Sequence, residues 1–195
     1  MNKATLYIHG KGGNAAECEF YRPLVTGDIF GLDYDDYSPG NASALVLRKY
    51  RELILRYDSV DLIANSIGAW FAMLSLSYER IGRATFISPV VDMERLILEM
   101  MLWADISEDE LRVKGEIPTN FGETLSWDYL CFVRNHPVEW RHPTTIFYGE
   151  NDHLIAHDTI TAFADKTHAR LFVCPKGEHW FHTPEQMKFI KNHFE

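Results

Sequence analysis

Leu62-Ile63-Ala64-Asn65-Ser66-Ile67-Gly68-Ala69-Trp70 is the stretch on which the fold of this chain turns. The apolar run from Val60 to Ala64 predicts a strand, and the run after Ser66 predicts a helix from Ile67 to about Tyr78. Between them one serine sits in the pattern small-x-Ser-x-Gly, with Ala64 in the first small position and Gly68 in the second. A strand that reverses into a helix within one residue strains that residue's backbone and leaves no room for bulk two positions before or after it. The serine hydroxyl is then presented at the tip of the turn. Gly68, Ala69 and Ala72 let the following helix approach a sheet closely.

On the N-terminal side, Ala4 to Ile8 reads as a strand that runs into the glycine-rich turn His9-Gly10-Lys11-Gly12-Gly13-Asn14, followed by a helix from Ala15 to about Leu24. Such a loop can bring backbone N–H groups close to a ligand. It has neither the G-x-x-x-x-G-K-[ST] nor the G-x-G-x-x-G spacing of nucleotide sites, so a tight turn or one half of an oxyanion hole are the two readings. Asp28 to Asp33 is the next strand. Tyr34 to Gly40 reads as a solvated loop whose acids match no EF-hand, and Asn41 or Ser43 is expected to cap the helix after it.

On the C-terminal side, Arg83 to Ser88 and Pro143 to Tyr148 are strands, a helix runs to about Lys166, and Ala169 to Cys174 is the last strand. Thr183 with Pro184 opens a closing helix. Strands and helices alternate at roughly 20- to 30-residue spacing, which argues for an α/β protein with a mostly parallel sheet of about six strands and helices on both faces. The alternation breaks between residues 90 and 142. A Met- and Trp-rich helical stretch (Leu96 to Trp103), a loop over Lys114 to Gly122 and a second helical piece (Ser126 to Val133) are expected there. An insert of that length and composition fits a lid, or simply two more helices packed on the sheet.

The 195 residues suit a single domain, and 46% hydrophobic with 24% charged residues is a globular composition. With 19 basic against 28 acidic residues, the net charge of −9 disfavours nucleic acid as a partner. Three irregularly spaced cysteines give neither a disulfide framework nor a zinc motif, and read as reduced thiols. No apolar run approaches the roughly 20 residues of a membrane span, and no signal sequence is visible. A cytoplasmic location is the expectation.

Taken in order, His9-Gly10 after the first strand, the Ser66 turn, Gly149-x-x-Asp152-x-Leu154-Ile155 and Gly177-x-His179 resemble the α/β-hydrolase family, Ser66 matching its nucleophile elbow. The resemblance covers Ala4 to Glu195 and implies the α/β-hydrolase fold in a compact form. It further implies Ser66 as nucleophile, His179 as general base and Asp152 as the acid that fixes the imidazole tautomer. The backbone N–H of Ile67 opens the elbow helix and would be one oxyanion donor; the residue after His9-Gly10, here Lys11, would be the second.

Competing assignments stay open. Asp92 or Glu150 could take the place of Asp152, and His182 that of His179. His153 and His157, at i, i+4 spacing on a predicted helix, could bind zinc, but no third ligand is in view, so neither metal nor cofactor is expected. The predicted function is hydrolysis of a small, partly hydrophobic ester or thioester through a Ser66 acyl-enzyme. The alternatives are acyl transfer, carbon–carbon or hydroxynitrile cleavage on the same triad, or a non-catalytic ligand-binding protein on that scaffold. The sequence does not give an oligomeric state.

Overall fold

The computed structural model describes residues 2–194. The chain opens with β1 (Lys3–Ile8), two short 3₁₀ helices (Ala15–Phe20 and Arg22–Leu24), β2 (Asp28–Leu32), α1 (Pro39–Ile54), β3 (Ser59–Asn65), α2 (Ile67–Leu76) and β4 (Ala84–Ile87). An insert follows, with α3 (Met93–Trp103), α4 (Glu108–Lys114), β5 (Glu116–Pro118), β6 (Thr124–Ser126) and α5 (Trp127–Asn135). Then come β7 (Thr144–Gly149), α6 (His157–Thr167), β8 (Arg170–Cys174) and α7 (Pro184–His193). Six strands form one sheet in the order β2-β1-β3-β4-β7-β8, and every neighbouring pair is parallel. Leu6, Leu62, Ala64, Phe86 and Ile146 are fully buried, as expected of strands covered on both faces.

Alternate residues of the strands serve the two faces. Tyr7, Ile63, Ile87 and Phe147 join Cys18 of the first 3₁₀ segment, Tyr21 between the two segments and Ile190 of α7 in one buried cluster, with Met187 and Phe189 packed against it. α1 and α2 pack on each other and on β1 and β3. This arrangement is an α/β sandwich with helices on both faces.

The path of the chain places the site. From β1 it moves outward to β2, then crosses back to β3 on the other side of β1. The order therefore reverses at β1 and β3, and it is beyond the carboxyl ends of such a pair that ligands bind in open α/β sheets. The loop after β1 is the glycine-rich one, and the turn after β3 carries Ser66.

Several local expectations are corrected. The helix expected from Ala15 to about Leu24 is instead two 3₁₀ pieces. Asn14 and Glu17 form a capping box at the first, but Pro23 has no N–H and disfavours helical backbone in the residue before it, so no continuous α-helix forms. Neither Asn41 nor Ser43 caps α1; both lie inside it, because Pro39 starts the helix at its first position with Ser38 as N-cap.

The chain divides into two compact units, one formed by residues up to Val91 and from Glu139 onward, the other by Asp92 to Val138. The second holds three helices, α3, α4 and α5, where two were expected. The segment read as a loop, Lys114 to Gly122, holds β5, which forms an antiparallel hairpin with β6 just beyond it and pairs Ile117 with Leu125. Strands of three residues, one of them ending at Pro118, are too short to show a period of two in the sequence. Arg134 donates to Glu94 at 2.7 Å and to both oxygens of Glu108 at 2.7 and 2.9 Å, linking α5 to α3 and α4. Among the described residues no helix is long and apolar enough to cross a membrane.

Candidate active site

Ser66 is the N-cap of α2 and has φ 48° and ψ −121°. Positive φ is costly for a residue with a Cβ, and a strained residue at the junction of β3 and α2 persists only because its surroundings over-determine it. Here Ser66 N donates to Ile87 O, and Ser66 O accepts from Val90 N, both at 3.0 Å, so the turn is clamped to the end of β4. Gly68 supplies the space. A Cβ there would lie 2.5 Å from His9 O and 2.6 Å from Ile8 O. Gly68→Ala is therefore expected to cost about 3 kcal/mol, the upper part of the overpacking range. The measurement is the urea midpoint at unchanged m value; a wild-type midpoint would show that α2 can move away from β1 freely.

The structure brings the three residues picked out as a triad together. His179 Nε2 lies 2.9 Å from Ser66 Oγ, and His179 Nδ1 lies 2.7 Å from Asp152 Oδ2. An ionised carboxylate only accepts, so Nδ1 carries the proton and Nε2 is left to accept from the serine hydroxyl. The Asp152 side chain is fully buried, while that of His179 remains 22% exposed. The other oxygen of Asp152 accepts from the N–H of Leu154 at 2.9 Å and of Ile155 at 3.0 Å, which fixes the carboxylate plane. Tyr148 supports this loop from below, its hydroxyl donating to Ile155 O at 2.7 Å. Burial, followed by the nearby Asp152 and Asp158 carboxylates, pushes Tyr148 up to about 12, so it stays a neutral donor.

The competing residues have other partners. Asp92 is the N-cap of α3 and accepts from Arg95 N at 3.0 Å. Glu150 accepts from Lys176 N at 2.8 Å. His182 is exposed, with Nδ1 turned to Trp180 O at 2.5 Å. The helical pairing of His153 with His157 is corrected: His153 lies in the turn before α6, which begins at His157, so the two do not share a helix face. Among the described residues no three His, Cys, Asp or Glu side chains are grouped to hold a metal ion. Burial pushes the thiols of Cys18 and Cys174 up, away from the thiolate form.

The two backbone positions named as oxyanion donors flank Ser66. Ile67 is the first residue of α2, whose leading N–H groups have no acceptor within the helix. Lys11 occupies the turn after β1, where Gly13 N donates to Gly10 O at 3.1 Å and Gly12 takes φ 76°. Positive φ at the third residue is the mark of a type II turn and explains the glycine. A Cβ on Gly10 would sit 3.2 Å from Ser66 Cβ, so this turn lies directly against the elbow.

Two residues of this region, Tyr34 and Tyr37, were not singled out from the sequence. Tyr37 Oη accepts from Gly12 N at 2.9 Å, and Tyr34 donates to His9 O. Their only signal is a pair of tyrosines three apart in the loop after β2, the strand beside β1.

No family model matches the chain, and no curated protein matches it. Solved structures do. Est1E from Butyrivibrio proteoclasticus superposes with a TM-score of 0.78 at 17% identity, over 98% of this chain and 86% of that one. Alpha/beta hydrolase domain-containing protein 10 from mouse gives 0.71 at 14%, over 97% and 86%. A proline iminopeptidase-related protein from Thermus thermophilus gives 0.64 at 18%, over 98% and 88%. Together with the parallel six-stranded order and the turn at Ser66 between β3 and α2, these likenesses identify the architecture: the chain adopts the α/β-hydrolase fold.

Proposed function

We propose that the protein is a serine hydrolase that cleaves a carboxylic ester or thioester of a small, partly hydrophobic molecule through an acyl-enzyme on Ser66. One observation carries this reading: the continuous chain from Ser66 Oγ through both nitrogens of His179 to the buried carboxylate of Asp152. In the first half-reaction His179 Nε2 takes the Ser66 proton as Oγ attacks the carbonyl carbon, and the carbonyl oxygen becomes an oxyanion. The N–H groups of Ile67 and Lys11 stabilise that charge. Imidazolium then returns its proton to the departing alcohol or thiol as the C–O or C–S bond breaks. In the second half, water loses a proton to His179, attacks the acyl carbon and releases the acid, and Ser66 recovers its proton. Asp152 stays ionised throughout and holds imidazolium in place.

Ferulic acid, a carboxylic acid with an aromatic ring, is bound to Est1E in a second structure of that protein. We assign the contact with the apolar part of the substrate to Trp180, whose ring also lies 4.7 Å from that of His182. It is one Cα step, about 3.8 Å, from His179, and it is 69% exposed. The next residue, Phe181, is buried in the core cluster and anchors the loop. Trp180→Ala is expected to raise KM for p-nitrophenyl butyrate about 5-fold, equivalent to about 1 kcal/mol of apolar contact, and to leave the acetate ester little changed. A uniform change in kcat across the ester series would instead mean that Trp180 shapes the His179 loop.

The test of the hydrolase assignment is covalent labelling. A fluorophosphonate is expected to modify wild-type protein once, at Ser66, located by peptide mass spectrometry. Folded wild-type protein that takes up no label, or takes it up elsewhere, overturns the proposal.

A further inference from the structure

Four hydrogen bonds and a set of ring contacts converge on the turn after β1, none of them involving the triad. The turn is rich in glycine, and Lys11 and Gly12 are exposed. Fixing such backbone costs about 1–2 kcal/mol per residue. An oxyanion donor has value only if it is already oriented when charge develops. Something other than burial has to hold the turn.

We propose that Tyr37, acting together with Tyr34, is a positioning residue that orients the Lys11 N–H for an oxyanion on the Ser66 side of the turn. The inference rests on the serine-hydrolase reading above.

The peptide that carries the Lys11 N–H is the one between Gly10 and Lys11. It is planar and trans, so the direction of its N–H is set by the direction of the Gly10 carbonyl. That carbonyl is held twice, by Gly13 N at 3.1 Å and by His9 Nδ1 at 2.7 Å. A carbonyl only accepts, so His9 Nδ1 carries the proton. The His9 ring in turn lies flat on Tyr34, with centroids 4.2 Å apart and planes at 18°, while the Tyr34 hydroxyl donates to His9 O. Tyr34 also meets Phe71 of α2 edge-on at 5.8 Å, which ties the assembly to the elbow helix.

Tyr37 fixes the next peptide. Its hydroxyl accepts from Gly12 N at 2.9 Å, and its ring meets Tyr34 edge-on at 5.5 Å. The Lys11 ammonium stands 6.0 Å from the Tyr37 ring centroid, within cation–π range. Of the two peptide planes that flank Lys11, the following one is thus bonded directly by Tyr37, and the preceding one is held by Gly13 N and by His9, which Tyr34 in turn fixes from the loop after β2. The acidic segment Tyr34-Asp35-Asp36-Tyr37 gains a purpose from its tyrosines. Its acids serve the loop itself, as where Asp36 accepts from Ser38 N at 2.8 Å.

The experiment compares Tyr37→Phe with wild type. The substitution keeps the ring and removes only the acceptor for Gly12 N–H. Active sites are counted by fluorophosphonate titration, and kcat and KM for p-nitrophenyl acetate are then measured per active site. The expected result is a fall in kcat of about 10-fold with KM within twofold, and an equal fall in affinity for a trifluoromethyl ketone that mimics the tetrahedral intermediate. Tyr34→Phe, which removes the bond to His9 O, is expected to act in the same direction.

A Tyr37→Phe enzyme with wild-type kcat per active site overturns the inference. So does a loss that appears only as raised KM or as fewer titratable sites, since a merely structural role would give those. Failure of wild-type Ser66 to label is a separate outcome, because it overturns the hydrolase reading itself.

Discussion

Ser66→Ala is expected to lower kcat toward activated esters by about 10⁴-fold or more, because it removes the atom that forms the acyl-enzyme. Fluorophosphonate labelling should disappear in the same protein. Stability should change in a direction that ordinary core substitutions do not show. Ser66 holds φ 48°, a conformation that costs a residue with a Cβ of order 1–3 kcal/mol. Alanine keeps the Cβ and hence the strain. Ser66→Gly removes both, and is expected to be about 1 kcal/mol more stable than Ser66→Ala by urea denaturation. If the alanine variant keeps more than a few per cent of wild-type activity, Ser66 is not the nucleophile. If the glycine variant is the less stable of the two, the turn is not strained in the way its backbone angles imply.

Asp152→Asn is expected to lower kcat by about 10⁴-fold with little change in fold, for a reason that lies in the tautomer of His179. The Asp152 oxygen that accepts from Leu154 and Ile155 N–H must remain an acceptor, since backbone N–H groups only donate. An asparagine at 152 therefore places its carbonyl oxygen there and turns its NH₂ toward His179 Nδ1, which now has to accept. The imidazole proton moves to Nε2, facing Ser66 Oγ at 2.9 Å, where the base should be. A ring that presents N–H to the serine cannot take its proton. Because the buried side chain keeps its shape and its backbone bonds, the melting temperature should move little. A drop in kcat of less than about 10-fold would mean that Asp152 is not the residue that sets the tautomer.

Much of the candidate site is legible in the amino-acid sequence because Ser66, Asp152 and His179 are each reported by a local signal. The junction of an apolar run with a helical run, with Ala64 and Gly68 on either side of Ser66, reports steric demands made within five residues. Asp152 and His179 follow runs of β-branched and aromatic residues, so their place at strand ends can be read from pattern alone. The closing helix is legible down to its cap, since Thr183 and Gln186 form a capping box around Pro184. Elements whose stability comes from elsewhere are not legible. The hairpin of β5 and β6 has strands of three residues, and the split of the first helix depends on how Pro23 and the capping box at Asn14 share one short segment.

The sequence by itself determined the kind of fold and the order in which Ser66, Asp152 and His179 follow its strands, because strand and helix periodicity and the sterics of a tight turn are properties of neighbouring residues. Which acid lies beside which histidine was decided by tertiary structure. Asp92, Glu150 and Asp152 are equivalent as residue types, and only the packing of the β7 and β8 loops puts one of them 2.7 Å from His179. The same holds for Tyr34 and Tyr37, which the sequence shows as two polar-aromatic residues in an acidic loop. Their hold on the turn at Lys11 exists because β2 pairs with β1 and brings the two loops side by side. Contacts between residues 25 apart along the chain leave no periodic trace, so only the three-dimensional arrangement of the strands could reveal them.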